Sequence, residues 1–385
     1  MDLGPIELRR PAREIARRLG LDLVAEAFRA RPHPGTRNRA EALHDFRVGL
    51  RRLRTILRAY RPTLRGSVDK RARRRLARVA RATGESRDLD VHLIWLEQQR
   101  FGLSLLERVG ISWFIKRLRV RKRKADAVLA DAVAHRFAKL QDRLEDGLGE
   151  YTVRLRGARA EADIPFAGAV VELLREYGAE LRQRLVRVRS IADQVSAHEA
   201  RIYGKRLRYL LEPLAATIPA AARLVEQLRT LQDKLGDLHD AHVFAPDISA
   251  ALAAAAAEYG PEAAPQGNGP ASLPAPRWSS HVDPRPGLRA VAARLRERSE
   301  QTFTALEQSG WIGPGAGDRL GLLDQVCEVL DALKTSEIEA ERKDPVAGPI
   351  GTLAIDQAGG LADALGEVEA AGAGGRPGAL DPAPT

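Results

Sequence analysis

Between residues 44 and 61, apolar side chains recur at the alternating four- and three-residue intervals of an α-helix: Phe46, Leu50, Leu53, Leu57 and Tyr60. At 100° per residue they share one sector, the face a helix turns toward a core. The neighbouring sector carries His44, Arg47, Arg51, Arg54, Arg58 and Arg61, while Arg52 projects elsewhere. The cations therefore flank a buried stripe over roughly 25 Å, at about 1.5 Å per residue. Asp45 is the one acid among them. A solvated helix gains a few tenths of a kcal/mol by setting acids four residues from bases, and this segment forgoes that gain. Either its acidic partners stand on other helices, or the row of guanidinium groups is set for phosphate oxygens, which arginine grips bidentately.

The stripe returns 154 residues later. His198, Arg201, Lys205 and Arg208 share a sector, with Leu207, Leu211 and Leu214 turned toward a core. Both copies place His first, Arg three residues on and then adjacent cations (Arg51 and Arg52; Lys205 and Arg206). Leu and Arg follow (Leu53 and Arg54; Leu207 and Arg208). A second pair of segments matches at an offset of 152. Gly84-Glu85-Ser86-Arg87-Asp88-Leu89-Asp90-Val91 aligns with Gly236-Asp237-Leu238-His239-Asp240-Ala241-His242-Val243. Two motifs in one order and at nearly one spacing indicate an internal duplication.

Helical periods extend along the chain. Helices are predicted over 9–30, 38–61, 68–83 with Gly84 as C-terminal cap, from about 86, and over 112–155. The second half replays them over 166–189, 195–211, 220–235 ending at Gly236, 238–259 and 288–308. One more is expected over 320–333. A Pro/Gly/Ala/Ser-rich stretch at 260–287 reads as a flexible insertion, and the end from about Gly348 reads as disordered. No strand alternation appears. The expected architecture is all-α: a first helical bundle over 1–158, a second over 159–312, and an acidic tail over 313–385.

Charge sharpens this picture. The net +11 divides unevenly: residues 1–124 hold 33 Lys and Arg against 13 Asp and Glu, and the remaining chain holds 29 against 38. A concentrated positive field is what a polyanion site requires. The single cysteine, Cys327, excludes an internal disulfide and a cysteine metal cluster. No apolar run reaches the eighteen or so residues of a membrane span, so a cytoplasmic protein without membrane contact is expected.

The motifs resemble those of the CHAD family, the conserved histidine α-helical domain. The resemblance rests on His44-x-x-Arg47-Val48-x-x-Arg51-Arg52-Leu53-Arg54, on Arg87-Asp88-x-Asp90-Val91, and on His198-x-x-Arg201-Ile202-x-x-Lys205-Arg206-Leu207-Arg208-Tyr209. Leu231-Gln232-x-x-Leu235-Gly236-x-x-x-Asp240 completes it, and together these cover about residues 5–311. The resemblance implies two four-helix bundles related by a pseudo-twofold axis, with basic side chains lining a central groove or pore that holds inorganic polyphosphate. It carries over His44, Arg47, Arg51, Arg52, Arg54, His198, Arg201, Lys205, Arg206 and Arg208 as binding residues. Helical phase and clustering add Arg58, Lys70, Arg74, Arg78, Lys122 and Lys234. Two departures stand out: Glu212 ends the second stripe, and the insertion is long.

The expected function is non-enzymatic polyphosphate binding without a cofactor, with attachment to polyphosphate granules. Nucleic acid is the alternative partner, but its tracks interleave aromatics for base stacking. Here Phe46 and Tyr60 sit in core phase, and Tyr203 and Tyr209 lie off the cationic sector. A metal-dependent phosphohydrolase is a further alternative, on the pairs His44-Asp45 and His239-Asp240 with Asp88, Asp90 and His242. So many arginines disfavour a divalent cation there. Glu339-Ala-Glu341-Arg-Lys343 matches the ExExK signature of CYTH triphosphate tunnel enzymes, but too little chain follows for their strands, and a helix end accounts for it better.

Overall fold

The helical periods become twelve α-helices in the computed structural model, which describes residues 2–33, 38–149, 164–260, 282–314, 316 and 321–343. In the first half these are α1 (Pro5–Arg9), α2 (Ala12–Ala30), α3 (Arg39–Ala59), α4 (Lys70–Ala82), α5 (Gly84–Gln99) and α6 (Leu105–Asp131). A π-helical turn, Ala132–Phe137, joins α6 to α7 (Ala138–Gly149). Then follow α8 (Phe166–Arg187), α9 (Gln194–Leu211), α10 (Pro219–Tyr259), α11 (Arg285–Gln308) and α12 (Leu322–Lys343). Among the described residues the only extended pairing is an isolated bridge between Pro11 and Pro165. Residues 1–340 form one unit and 341–385 a second, of which only the end of α12 is described.

Local chemistry starts several helices. Asn38 accepts from the Glu41 backbone N–H at the head of α3, and Asp69 accepts from Ala72 at the head of α4. Ser104 and Glu107 satisfy each other's backbone N–H groups at the head of α6. Such caps stabilise a helix by about 1 kcal/mol each.

Four boundaries differ from the sequence expectation. α4 stops at Thr83, and Gly84 opens α5 in helical conformation instead of capping α4. α10 runs unbroken through Gly236 and Pro246. Glycine costs a helix about 1 kcal/mol relative to alanine, and the buried Leu231, Leu235, Leu238 and Ala241 on either side outweigh that cost. The helix expected from 112 begins at Leu105, and residues 150–155 lie outside the described ones, as do 261–281 of the insertion and the end from 348. Arg285–Gly287, expected in the insertion, form the first turn of α11.

Two apolar clusters make up the interior, and each draws on both halves. The larger joins α2, α3, α4 and α7 to α8, α9 and the start of α10. The smaller joins α5 and α6 to the later part of α10 and α11. The interior is thus shared between the halves and not divided near residue 158. Helices that match in the duplication also touch: α2 packs on α8, α3 on α9 and α6 on α11. At the last of these crossings a Cβ on Gly110 would lie 2.3 Å from the Pro284 carbonyl oxygen, and one on Gly287 2.1 Å from that of Glu107. Only glycine permits so close an approach. Val326, Val329, Leu330 and Leu333 of α12 join the larger cluster, so the stretch expected to be an acidic tail begins with a core helix.

Candidate functional site

Because α3 and α9 pack together, their cationic stripes meet. Arg201 on α9 lies within electrostatic reach of Arg47 and Arg51 on α3. Lys205 faces Arg51, and Arg206 faces Arg54 and Arg58. Matching rows from the two halves therefore converge on one place.

Burial and the convergence of like charges both disfavour the protonated forms of these groups. Burial first, then Arg201, Arg51 and Arg208, push the Lys205 ammonium down to about 6. Burial also leads in lowering Arg47 to about 10; Asp88 opposes the shift, and Arg51, Arg87 and Arg201 add to it. Arg54, Arg201 and Arg206 move in the same direction, again with burial first.

Two carboxylates stand among these cations. Asp88 is 3.7 Å from Arg47, and Asp240 faces Arg201 and Lys205. Burial raises both pKa values more than the nearby cations lower them. Arg47 is anchored by donating Nη1 to the Thr83 carbonyl oxygen at 2.6 Å. The repeated glycines lie beside these cations. A Cβ on Gly84 would sit 3.6 Å from Arg47 Nη1, and one on Gly236 3.9 Å from Arg201 Nε. Both are ordinary van der Waals distances, at which a methyl group fits. The Nε donors of Arg51, Arg201 and Arg208 are buried without a hydrogen-bond partner among the described residues. Leaving such a donor unpaired costs about 1–3 kcal/mol, which an oxygen-rich anion would relieve.

Histidines flank the cluster. His198 Nδ1 lies 3.3 Å from His239 Nδ1, so one ring donates to the bare nitrogen of the other. Burial, then Arg201, His198 and Lys205, hold His239 down at about 3, and His198 is lowered chiefly by burial. In the first half Arg87 takes the place of His239, and burial followed by Arg87 lowers His44. His239 and Arg87 were not among the sequence-assigned binding residues. The aligned motifs carried the signal, since both stand three residues after the repeated glycine.

A family model described as the CHAD domain matches residues 19–246. The chain belongs to that family. The CHAD domain from the plant Ricinus communis has a similar solved structure. The TM-score is 0.53 at 19% identity, over 80% of this chain and 95% of that one. PptA from Streptomyces chartreusis aligns at a TM-score of 0.49 and 18% identity, over 78% of this chain and 99% of the other. No curated protein sequence matches significantly. The all-helical CHAD fold is therefore established, and the matched span contains both stripes and all the cations described above.

Other residues assigned from sequence are held elsewhere in this CHAD chain. Arg52 was carried over as a binding residue by its place in the family motif. Instead Nη1 donates to Glu26 at 2.7 Å and Nε to Glu212 at 2.9 Å, because its phase points it away from the row. Glu212 also pairs with Arg208 at 3.3 Å, which leaves Arg208 only partly available. Lys122 is enclosed by Asp126 at 2.6 Å, Asp90 at 3.1 Å and the Ser86 hydroxyl at 3.1 Å, so it is neutralised locally. Lys70, Arg74 and Arg78 are exposed on α4. Among the described residues Lys234, on α10, has no hydrogen bond or ion pair and nothing ties it to either row. Two of the acids considered for a metal are engaged too: Asp90 with Lys122 and Asp88 with Arg47. No group of three potential metal ligands gathers among the described residues, and none of their helices is long and apolar enough to cross a membrane.

Proposed function

We propose that the facing α3 and α9 rows bind inorganic polyphosphate, the ligand implied by the family resemblance. One observation carries this reading: cations from the two halves are held against one another, with three buried guanidinium donors unpaired. A chain of closely spaced phosphates compensates both costs at once. Arg47, Arg51, Arg54, Arg58, Arg201 and Arg206 supply the charge, Lys205 adds to it on taking up a proton, and His44 and His198 stand at the edge as neutral hydrogen-bond partners. The protein acts by binding, without turnover, and in cells that store polyphosphate it resides on cytoplasmic granules.

Aromatic placement favours polyphosphate over nucleic acid. The Tyr203 ring already lies against Arg184 and Arg206, at 4.7 and 4.8 Å. Tyr209 lies against Arg208 at 5.0 Å, and Phe46 and Tyr60 are buried against Phe137 and Phe166. Base stacking needs a free ring face, and these faces are taken.

The test is a titration with long-chain polyphosphate. Arg51→Ala and Arg201→Ala should each weaken binding roughly ten- to hundredfold, from charge-assisted contacts of about 1.5–3 kcal/mol, with helical circular dichroism unchanged. Unaltered affinity in both variants would remove the rows from the site. Single-stranded DNA should fail to displace polyphosphate; displacement at equal charge would transfer the site to nucleic acid. Phosphate release on adding Mg²⁺ or Mn²⁺ would make the protein a hydrolase.

A further inference from the structure

α4 carries seven cations and no acid, Lys70, Arg71, Arg73, Arg74, Arg75, Arg78 and Arg81. Three buried residues, Ala72, Leu76 and Val79, fix its inward face. Directly opposite, Lys70, Arg74, Arg78 and Arg81 share a sector of about 80° over a rise of roughly 16 Å, and all four are exposed. Among the described residues none of the four has an acidic partner. Arg81 lies within electrostatic reach of Arg54, and Arg61 of Arg73. α4 thus runs antiparallel beside α3, and its outer row meets the α3 row at Arg81, beside Arg54.

The duplication supplies an internal comparison. The matching stretch at the start of α10 holds Arg223, Glu226, Arg229, Asp233 and Lys234. There Arg229 pairs with Glu226 at 2.6 Å and Arg223 with Glu328 at 2.7 Å. That side is balanced, whereas the α4 side is unopposed. A solvated surface helix has no reason to forgo acids on one copy only.

We propose that the outer row of α4 is a one-sided extension of the polyphosphate site that selects for chain length. A short polyphosphate is held between α3 and α9 alone. A long one passes Arg54 and Arg81 and continues along Arg78, Arg74 and Lys70. This rests on the binding reading above and adds the length and direction of the track.

The experiment compares inorganic tripolyphosphate with long-chain polyphosphate on the full chain at 0.15 M salt, where exposed charges beyond about 8 Å are screened. The triple variant Lys70→Ala/Arg74→Ala/Arg78→Ala changes exposed positions to the best helix former. It should lose roughly eightfold in affinity for the long chain, about twofold per exposed contact, and less than twofold for tripolyphosphate. Arg223→Ala/Arg229→Ala should change neither. Equal losses for both ligands would reduce α4 to a general field, and no loss for either would make it a solvated face; each outcome overturns the extension. Failure of the unaltered protein to bind either ligand would instead overturn the binding reading itself.

Discussion

Lys205 shows most directly how position overrides residue type. An ordinary lysine holds its proton to about 10.5, yet here burial and three arginines bring that value to about 6. At neutral pH the free protein therefore presents a largely uncharged amine beside Arg51 and Arg201. A polyanion bound as proposed would reverse the local field and draw a proton onto it. Binding should take up protons near pH 7, and affinity should rise as pH falls from 8 toward 6, then level off. Calorimetry in buffers of different ionisation heat measures the uptake, and Lys205→Met should abolish most of it. The stability effect has the opposite character. Between about 6 and 10.5 the unfolded chain binds a proton at Lys205 that the folded chain does not, so stability rises with pH across that window. At pH 7 Lys205→Met should accordingly stabilise the fold by roughly 0.5–2 kcal/mol while weakening binding. A denaturant titration that showed destabilisation would contradict the assigned environment. None of this is visible in the sequence, where Lys205 is one more cation in a stripe.

Arg52 shows how a helix turns a similar residue to a different task. One position beyond Arg51, it lies about 100° around α3 and reaches Glu26 on α2 and Glu212 just after α9. It clamps elements from both halves and points away from the proposed binding row. Arg52→Ala should cost roughly 1–3 kcal/mol of stability, since it leaves Glu26 and Glu212 without their shared partner. Polyphosphate affinity at a temperature where the variant is folded should change less than threefold. Thermal unfolding and titration separate the two effects, and a large affinity loss would return Arg52 to the binding row. The phase of Arg52 was legible in the sequence; its acids, 26 and 160 residues away, were not. The same holds for Gly84. Its recurrence as Gly236 was plain, but a glycine beside a helix end reads as a cap, and only packing showed that it opens α5 and lies against Arg47.

Taken whole, the molecule concentrates charge by sharing its interior between the duplicated halves. Two independent bundles would leave each stripe on its own surface; the joint core brings α3 against α9 and makes the two rows one site. Binding through so many cations should depend steeply on salt, by analogy with counterion release. Raising salt from 50 to 200 mM should lower long-chain affinity roughly a hundredfold or more, and a flat response would argue against a charge-dominated site. Helix content, the duplication, the sign of the charge and the phase of each stripe were determined by local sequence, because they depend on spacing within a few turns. The tertiary structure alone decided which cations face one another, which are neutralised by distant acids, and that Gly236 does not interrupt α10. Those outcomes depend on burial and on electrostatic contacts between residues far apart in the chain, and no local period encodes them.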